Sequence, residues 1–136
     1  MVSLQYEDTE ILDLDPEFFI SLLDHVCNNE GKSLNEIAIV FCSDEFLLEI
    51  NNRFLNHDYY TDIITFDYVE DEKISGDLII SIDRVKDNAL TEGVGFKEEL
   101  NRVVIHGVLH LLGYGDKSSD EALLMREKEA FYLGFT

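Results

Sequence analysis

An unbroken apolar run, Ile-Ala-Ile-Val-Phe at residues 37–41, is the feature that most constrains how this chain can fold. It has the length of a strand, and apolar residues at every position predict a strand buried on both faces. Residues 63–66 and 78–82 read as two further strands, and the loose apolar-polar alternation of residues 4–14 predicts another. The sequence therefore predicts a mixed sheet of about four strands.

Several segments carry helix signals. Asp15 and Pro16 combine a capping side chain with proline at the first helical position, and apolar residues follow at three-and-four spacing. Ser43 is expected to cap a second helix, and Ser118 with Glu121 forms a capping-box pattern that opens the last one. The remaining predicted helices span residues 83–91 and 96–112. We therefore predict a single α+β domain, residues 1–136, in which about four to five helices pack with the sheet.

The length and cysteine content fit one intracellular domain. With 136 residues the chain can bury a sizeable core, but it is too short for two domains that each have a sufficient core of their own. No stretch approaches the ~20 apolar residues of a membrane span, and the N-terminus lacks the basic flank and apolar core of a signal peptide. Cys27 and Cys42 lie in separate segments and are expected to be buried, reduced thiols. These observations predict a cytoplasmic protein with no membrane partner.

The charge balance is strongly acidic. Ten Lys and Arg residues stand against 29 Asp and Glu residues, which gives a formal net charge of −19. Such a surface disfavours a broad electrostatic grip on nucleic acid and leaves room only for a small local basic groove.

The segment from His106 to Asp116 contains a candidate metal site. Residues four apart on a helix lie on one face, so the imidazoles of His106 and His110 can reach one ion. They also lie in the last turns of the predicted helix, where the aligned carbonyl dipoles favour a cation. Gly113 and Gly115 can adopt conformations that end the helix and turn the chain back, which would bring Asp116 toward the two rings. Two histidines and one carboxylate leave coordination positions open for water, so the segment predicts a catalytic metal at the C-terminal end of a central helix.

These residues indicate a hydrolase that uses a metal-bound water, but they leave the scissile bond open. A metallopeptidase-like hydrolase is the main alternative, since helical His-x-x-x-His also occurs in that class. There the first histidine is followed by a glutamate that acts as general base, whereas this chain has Gly107. A zinc nucleobase deaminase is disfavoured, because the chain has no His-x-Glu and Cys-x-x-Cys pair.

Three segments resemble the YbeY family of endoribonucleases. The pattern H-G-x-L-H-L-x-G-Y at residues 106–114 resembles the family's metal-binding signature. Residues 61–66, Thr-Asp-Ile-Ile-Thr-Phe, are similar to the family's P-T-D-V-L-S-F stretch, and residues 76–81 are similar to its G-D-I-x-I-S strand. The three segments occur in the expected order and cover most of the chain from Ile50 onward.

The resemblance implies three metal ligands, two of which match directly at His106 and His110. Asp116 stands where the family norm is a third histidine, and Gly115 replaces the usual aspartate before it. The family implies one divalent ion, usually assigned as zinc. Because a carboxylate oxygen is a harder ligand than imidazole, manganese, iron and nickel are also compatible with this donor set.

A second departure from the family lies in the loop before Thr61. The family has an arginine there that is thought to contact the scissile phosphate, and the matching residue in this chain is Leu55. Arg53 and His57 flank this position and are the candidates to supply a cationic or hydrogen-bonding group. Each also has an ordinary role, Arg53 at the end of a helix and His57 as a solvated loop residue.

The resemblance implies a metal-dependent endoribonuclease that acts in ribosomal RNA processing and ribosome maturation. It further implies single-stranded RNA and the small ribosomal subunit as partners, and no DNA. A different class of function is a non-catalytic ribosome-assembly adaptor that keeps its metal for stability. The altered third ligand, the missing arginine and the charge of −19 favour the adaptor. The absence of a fourth Cys or His nearby in the sequence opposes it, because structural zinc sites are normally closed by four protein ligands.

Overall fold

A computed structural model describes residues 1–136. Its four strands and five helices follow one another as β1 (Val2–Glu7), α1 (Pro16–Asn29), β2 (Ser33–Cys42), α2 (Asp44–Leu55), β3 (Ile63–Asp67), β4 (Lys73–Ser81), α3 (Ile82–Glu92), α4 (Phe96–Leu111) and α5 (Ser119–Leu133). The predicted α+β fold, with four strands and five helices, is confirmed.

The four strands form one mixed sheet in the order β1-β2-β4-β3. Strand β2 pairs in parallel with β1 on one side and with β4 on the other, while β3 pairs antiparallel with β4. The apolar run at residues 37–41 lies in β2, an interior strand, where Ile37, Ile39 and Phe41 are buried and the alternate residues are half-buried. This placement explains why the run contains no polar residue.

Helices cover both faces of the sheet. The main core joins one sheet face to α1, α3, α4 and α5 through 23 buried residues. A smaller cluster on the opposite face packs Leu47 of α2 against Cys42, Ile64 and Ile79. Both cysteines are buried and free. None of the helices has the length and apolar character that crossing a membrane would require.

The capping residues predicted from the sequence are found at the N-termini of the corresponding helices. The side chain of Asp15 accepts a hydrogen bond from the Glu17 amide at 3.0 Å, and that of Ser43 accepts one from the Phe46 amide at 3.1 Å. The capping box is also present, since Ser118 and Glu121 each bond the other's backbone amide.

The prediction of a strand over residues 4–14 is wrong in its extent. The strand is Val2–Glu7, and the chain then runs irregularly to α1. The apolar positions beyond it have another cause, because Leu12 and Leu14 pack against the core from a loop, and the Leu12 carbonyl accepts a hydrogen bond from the Tyr6 hydroxyl. Ile82, predicted as the last residue of a strand, instead begins α3.

Candidate metal centre

The end of α4 brings the three predicted ligands together. His106 and His110 lie one turn apart near its C-terminus, and Gly113, with a φ of +104°, reverses the chain directly after it. The Gly113 amide bonds the His110 carbonyl at 3.0 Å, and the following loop returns Asp116 to the two imidazoles. Gly113 adopts the conformation that the sequence predicted for it.

Gly115 has a different role from the one we predicted. Its φ does not lie in the left-handed region, so the turn does not depend on it. The carboxylate of Glu121 lies beside it instead, and a Cβ at position 115 would be 2.6 Å from Oε2 of Glu121. The same carboxylate caps α5 by accepting hydrogen bonds from the amides of Lys117 and Ser118. A side chain at position 115 would therefore require the Glu121 carboxylate to shift.

Three potential ligand atoms converge at this point. The Nε2 atoms of His106 and His110 are 3.0 Å apart, and Oδ2 of Asp116 is 3.4 Å from each of them. Both imidazoles are partly buried, whereas the Asp116 side chain is 42% exposed. The group is thus fixed on the helix side and open to solvent on the loop side.

The hydrogen bonds on the far side of each ring determine where its proton lies. Nδ1 of His106 is 2.6 Å from a carboxylate oxygen of Glu129, and Nδ1 of His110 is 2.9 Å from the carbonyl oxygen of Tyr114. Both partners are acceptors, so each neutral ring carries its proton on Nδ1. The two Nε2 lone pairs and the Asp116 carboxylate then face one another with no proton between them. Such a cluster of acceptors is stabilised by a cation.

Glu129 belongs to a buried ionic network behind His106. Its side chain is 3% exposed, and its second oxygen accepts a hydrogen bond at 3.0 Å from Arg102, which also forms a bidentate pair with Glu99. Burial alone would raise the pKa of Glu129, but the hydrogen bond from His106 and the charge of Arg102 outweigh it, and the pKa is lowered. Glu129 is therefore a carboxylate that holds the His106 ring by its Nδ1 proton.

Our sequence reasoning missed Glu129 and Arg102. Glu129 shares the buried face of α5 with Met125 and Tyr132, but Leu123, Leu124 and Phe131 of the same helix are exposed. The apolar residues of α5 therefore form no single stripe, and no signal in the sequence indicates that Glu129 is buried.

A second network fixes the carbonyl that binds His110. The Tyr114 hydroxyl donates to Glu30 at 2.6 Å, and the Lys128 ammonium bonds Glu30 at 3.1 Å while lying 5.4 Å from the centre of the Tyr114 ring. Glu30 also accepts a hydrogen bond from the Tyr132 hydroxyl, whose pKa is raised to about 12 by burial and by this carboxylate. The loop that carries Asp116 is thereby joined to the end of α1 and to α5.

The three converging atoms open onto a pocket of about 290 Å³. Its other lining residues come from the end of α2, the loop after it and β3: Asn51, Leu55, His57, Tyr59, Thr61, Asp62, Ile63, Ile64 and Thr65. His57 and Leu55 thus lie at the site, but Arg53 is not among the lining residues. The Arg53 guanidinium pairs with Glu49 one turn back on α2, at 2.6 Å, and makes no hydrogen bond to the terminal carbonyls of that helix. No lysine or arginine lines the pocket.

The family model described as Endoribonuclease YbeY matches residues 4–135. The chain belongs to the YbeY family. The resemblance carried by the segments at 61–66, 76–81 and 106–116 is therefore confirmed.

Curated relatives match this YbeY-family chain over nearly their whole length. The Endoribonuclease YbeY of Flavobacterium psychrophilum is 51% identical over 130 residues, which cover 95% of this chain and 91% of that protein. The Endoribonuclease YbeY of Bacteroides thetaiotaomicron is 46% identical over 128 residues, 94% of this chain and 93% of that protein. The protein of the same name from Karelsulcia muelleri is 44% identical over 135 residues, 99% and 95% of the two chains.

The fold also matches an experimental structure. The solution structure of TM1509 from Thermotoga maritima is 29% identical to this chain and superposes with a TM-score of 0.68. The match covers 98% of this chain and 87% of that one.

The donor set of this YbeY-family chain fits a metal ion. Zinc bonds of about 2.0–2.1 Å at tetrahedral angles place neighbouring ligand atoms about 3.3 Å apart. The three observed separations are 3.0, 3.4 and 3.4 Å, so the atoms already have nearly this spacing. Three potential ligand atoms that face an open pocket resemble a catalytic metal site more than a structural site, which is closed by four protein ligands. His106, His110 and Asp116 could therefore hold a divalent ion with coordination positions left for water.

Proposed function

We propose that this chain is a metal-dependent endoribonuclease whose single divalent ion is held by His106, His110 and Asp116. The observation that carries the proposal is the convergence of Nε2 of His106, Nε2 of His110 and Oδ2 of Asp116, all within 3.4 Å of one another, at the mouth of a pocket. Membership of the YbeY family supports RNA as the substrate.

A divalent ion at this site would lower the pKa of a coordinated water to about 7 and polarise a phosphoryl oxygen. The protein residues supply the positioning. Glu129 holds the His106 ring, the Tyr114 carbonyl holds the His110 ring, and Asp116 adds one negative charge at the solvent side. Gly107 offers no side chain at the position where helical metallopeptidases have their general base, so an RNA phosphodiester fits the site better than a peptide.

We propose zinc as the resident ion, because imidazole nitrogen and carboxylate oxygen are both common zinc ligands. Titrations with manganese, iron and nickel would rank the alternatives that a carboxylate ligand admits. The biological setting that we propose follows the family: ribosomal RNA processing with single-stranded RNA and the small ribosomal subunit as partners, in the cytoplasm.

The test compares wild-type protein with Asp116→Ala, and uses Asp24→Ala as the matched control. Asp24 is an exposed aspartate on α1 and is not part of the pocket. Each protein is stripped with a chelator and reconstituted with zinc, its metal content is measured by mass spectrometry, and cleavage of an end-labelled single-stranded RNA is followed on gels.

We expect one equivalent of zinc and RNA cleavage in the wild type and in Asp24→Ala. Asp116→Ala should bind zinc at least about 100-fold more weakly, beyond the 10- to 100-fold typical of losing a hydrogen-bond partner of a ligand, and its cleavage should fall in parallel. A wild type without stoichiometric zinc after reconstitution would show that the metal site is wrong. Zinc-loaded wild type that leaves RNA intact would show that the endoribonuclease proposal is wrong.

A further inference from the structure

Large apolar side chains are exposed in a row beside the candidate metal centre. Residues 52–60 are all exposed, and four of them are large and apolar or aromatic: Phe54, Leu55, Tyr59 and Tyr60. Scattered exposed apolar residues are normal, but a concentration of this kind at the edge of a site marks a contact surface.

The chain conformation fixes this segment instead of leaving it free. Asn56 ends α2 in the left-handed region with a φ of +54°, and the His57 amide returns to bond the Asn51 carbonyl at 3.1 Å. The buried side chain of Asn51 donates to the Tyr59 carbonyl at 2.9 Å. The end of α2 therefore holds the backbone on both sides of residue 58.

Within this segment two rings stack on each other. The ring centres of His57 and Tyr59 are 5.0 Å apart with an angle of 19° between the planes, and the Tyr59 hydroxyl is 2.9 Å from Nδ1 of His57. A hydroxyl that donates to Nδ1 leaves the proton of the neutral imidazole on Nε2, as an unused donor. Both residues line the same pocket as the three candidate metal ligands. The pair is a preorganised aromatic surface at the site, with Tyr59 56% exposed.

The pocket offers no cationic side chain that could bind the phosphates of the substrate. No lysine or arginine lines the pocket, and the chain carries a net charge of −19. Arg102 lies 3.7 Å from Asp62 of the pocket lining, but it is already paired with Glu99 and Glu129. Arg53 and Arg84 are likewise paired, with Glu49 and Asp44 respectively. Aromatic faces bind nucleobases by stacking, which needs no cation and requires the base to be unpaired.

We propose that Tyr59, stacked on His57, forms a subsite for one unpaired nucleobase of the RNA strand that enters the metal centre. This inference rests on the proposed endoribonuclease function and specifies how a chain without the loop arginine holds its substrate. Because every base has a π face, the subsite accepts all four bases.

The test compares Tyr59→Ala and Tyr59→Phe with Tyr68→Ala as the matched control. Tyr68 is a similarly exposed tyrosine, 58% against 56%, but it lines a different pocket, where its hydroxyl bonds Asp77. KM and kcat are measured on the zinc-reconstituted full-length proteins with single-stranded RNA. Binding of fluorescein-labelled oligo(A) and oligo(U) is measured by anisotropy in EDTA, at several salt concentrations.

For Tyr59→Ala we expect the dissociation constant and KM to rise roughly 5- to 150-fold, the range of one lost base–aromatic stack, with a much smaller change in kcat. Tyr59→Phe keeps the ring and should remain within about threefold of wild type, and Tyr68→Ala should equal wild type. Wild-type binding should depend only weakly on salt, because few phosphates are neutralised. His57→Ala, which removes the ring on which Tyr59 stacks, should also weaken RNA binding. This variant tests the subsite independently if Tyr59→Ala does not fold.

Unchanged RNA binding in both Tyr59→Ala and His57→Ala would overturn the stacking subsite, as would equal losses in Tyr59→Ala and Tyr68→Ala. These outcomes are distinct from failure of the proposed function. If the wild type does not cleave RNA, the endoribonuclease proposal fails whatever Tyr59 does. If the wild type cleaves RNA and Tyr59→Ala has an unchanged KM, only the subsite fails.

Discussion

Glu129 shows how a single buried carboxylate can orient a candidate metal ligand, His106, 23 residues away. Its carboxylate accepts a hydrogen bond from Nδ1 of His106, so that in the neutral ring the Nε2 lone pair faces Asp116, and Arg102 balances the buried negative charge. Removing the charge at position 129 would leave the Arg102 guanidinium with one buried carboxylate partner fewer. It would also weaken the hydrogen bond that orients the His106 imidazole.

We therefore predict that Glu129→Gln lowers zinc affinity by about 10- to 100-fold, the usual effect of losing a carboxylate that orients a ligand histidine. Glu127→Gln makes the same chemical change on the same helix, but at an exposed residue that bonds no ligand. Zinc dissociation constants from competition with a chromophoric chelator provide the measurement. Equal zinc affinity in Glu129→Gln and wild type would contradict a positioning role for Glu129.

At the same scale, local patterns in the sequence were informative only where residues act on near neighbours. The i, i+4 spacing placed His106 and His110 on one face, and Gly113 indicated the turn that returns Asp116. Glu129 and Tyr59 could not be assigned in this way, because their contacts with His106 and the pocket depend on how α5 and the loop after α2 pack.

At the scale of elements, the position of α4 depends on close contact with the sheet. A Cβ added at Gly76 of β4 would lie 2.6 Å from the backbone oxygen of Phe66 on β3 and 2.9 Å from both Cδ atoms of Leu111, the last residue of α4. The strand carbonyl cannot rotate away without breaking the β3–β4 pairing. Glycine at position 76 therefore sets how closely the C-terminal end of α4, which carries His106 and His110, approaches the sheet.

We predict that Gly76→Ala lowers the free energy of unfolding by about 1–3 kcal/mol, the usual cost of overpacking a tight core. Gly95→Ala is the control, because a Cβ there meets nothing within 4 Å and φ is −72°. The free energy of unfolding of Gly95→Ala should stay within about 0.5 kcal/mol of wild type. Alanine restricts the unfolded chain, which stabilises the protein, but it is a poorer N-cap residue than glycine, and the two effects nearly cancel. Urea denaturation followed by circular dichroism measures both variants, and equal stabilities would contradict the packing argument.

The helix starts were predictable because each depends on one side chain and the amides beside it, as at Asp15, Ser43 and Ser118. The end of β1 could not be predicted from local residues, because a strand ends where its pairing with the neighbouring strand ends. Strand β1 pairs with β2 only as far as Glu7 opposite Cys42, and the apolar residues that follow pack from a loop. The same dependence on a distant partner explains why Ile82 could not be assigned to α3 from its apolar neighbours.

For the whole molecule, Glu30 joins the end of α1 to α5 and, through Tyr114, to the loop that carries Asp116. Its side chain is 11% exposed. Burial alone would raise the pKa of Glu30, but the hydrogen bonds that its carboxylate accepts from two tyrosines and a lysine outweigh it, and the pKa lies below the ordinary 4.5. Because the folded state holds the ionised form more strongly than the unfolded state does, ionised Glu30 stabilises the fold.

The sign of this linkage gives a prediction for the pH dependence of stability. The contribution of Glu30 is fully present above its unfolded pKa near 4.5 and is lost as the pH falls through its lower folded value. At pH 7, Glu30→Gln should lower the free energy of unfolding by about 1.5–3 kcal/mol, the range for hydrogen bonds to a charged group, and the difference from wild type should shrink toward pH 3. Urea denaturation of metal-free protein at several pH values between 7 and 3 measures this convergence.

The control is Glu70→Gln, which changes an exposed glutamate whose side chain makes no hydrogen bond or ion pair. Its stability should follow that of the wild type at every pH. A deficit of Glu30→Gln that stays constant from pH 7 to pH 3 would show that the loss comes from packing and not from the charge of Glu30.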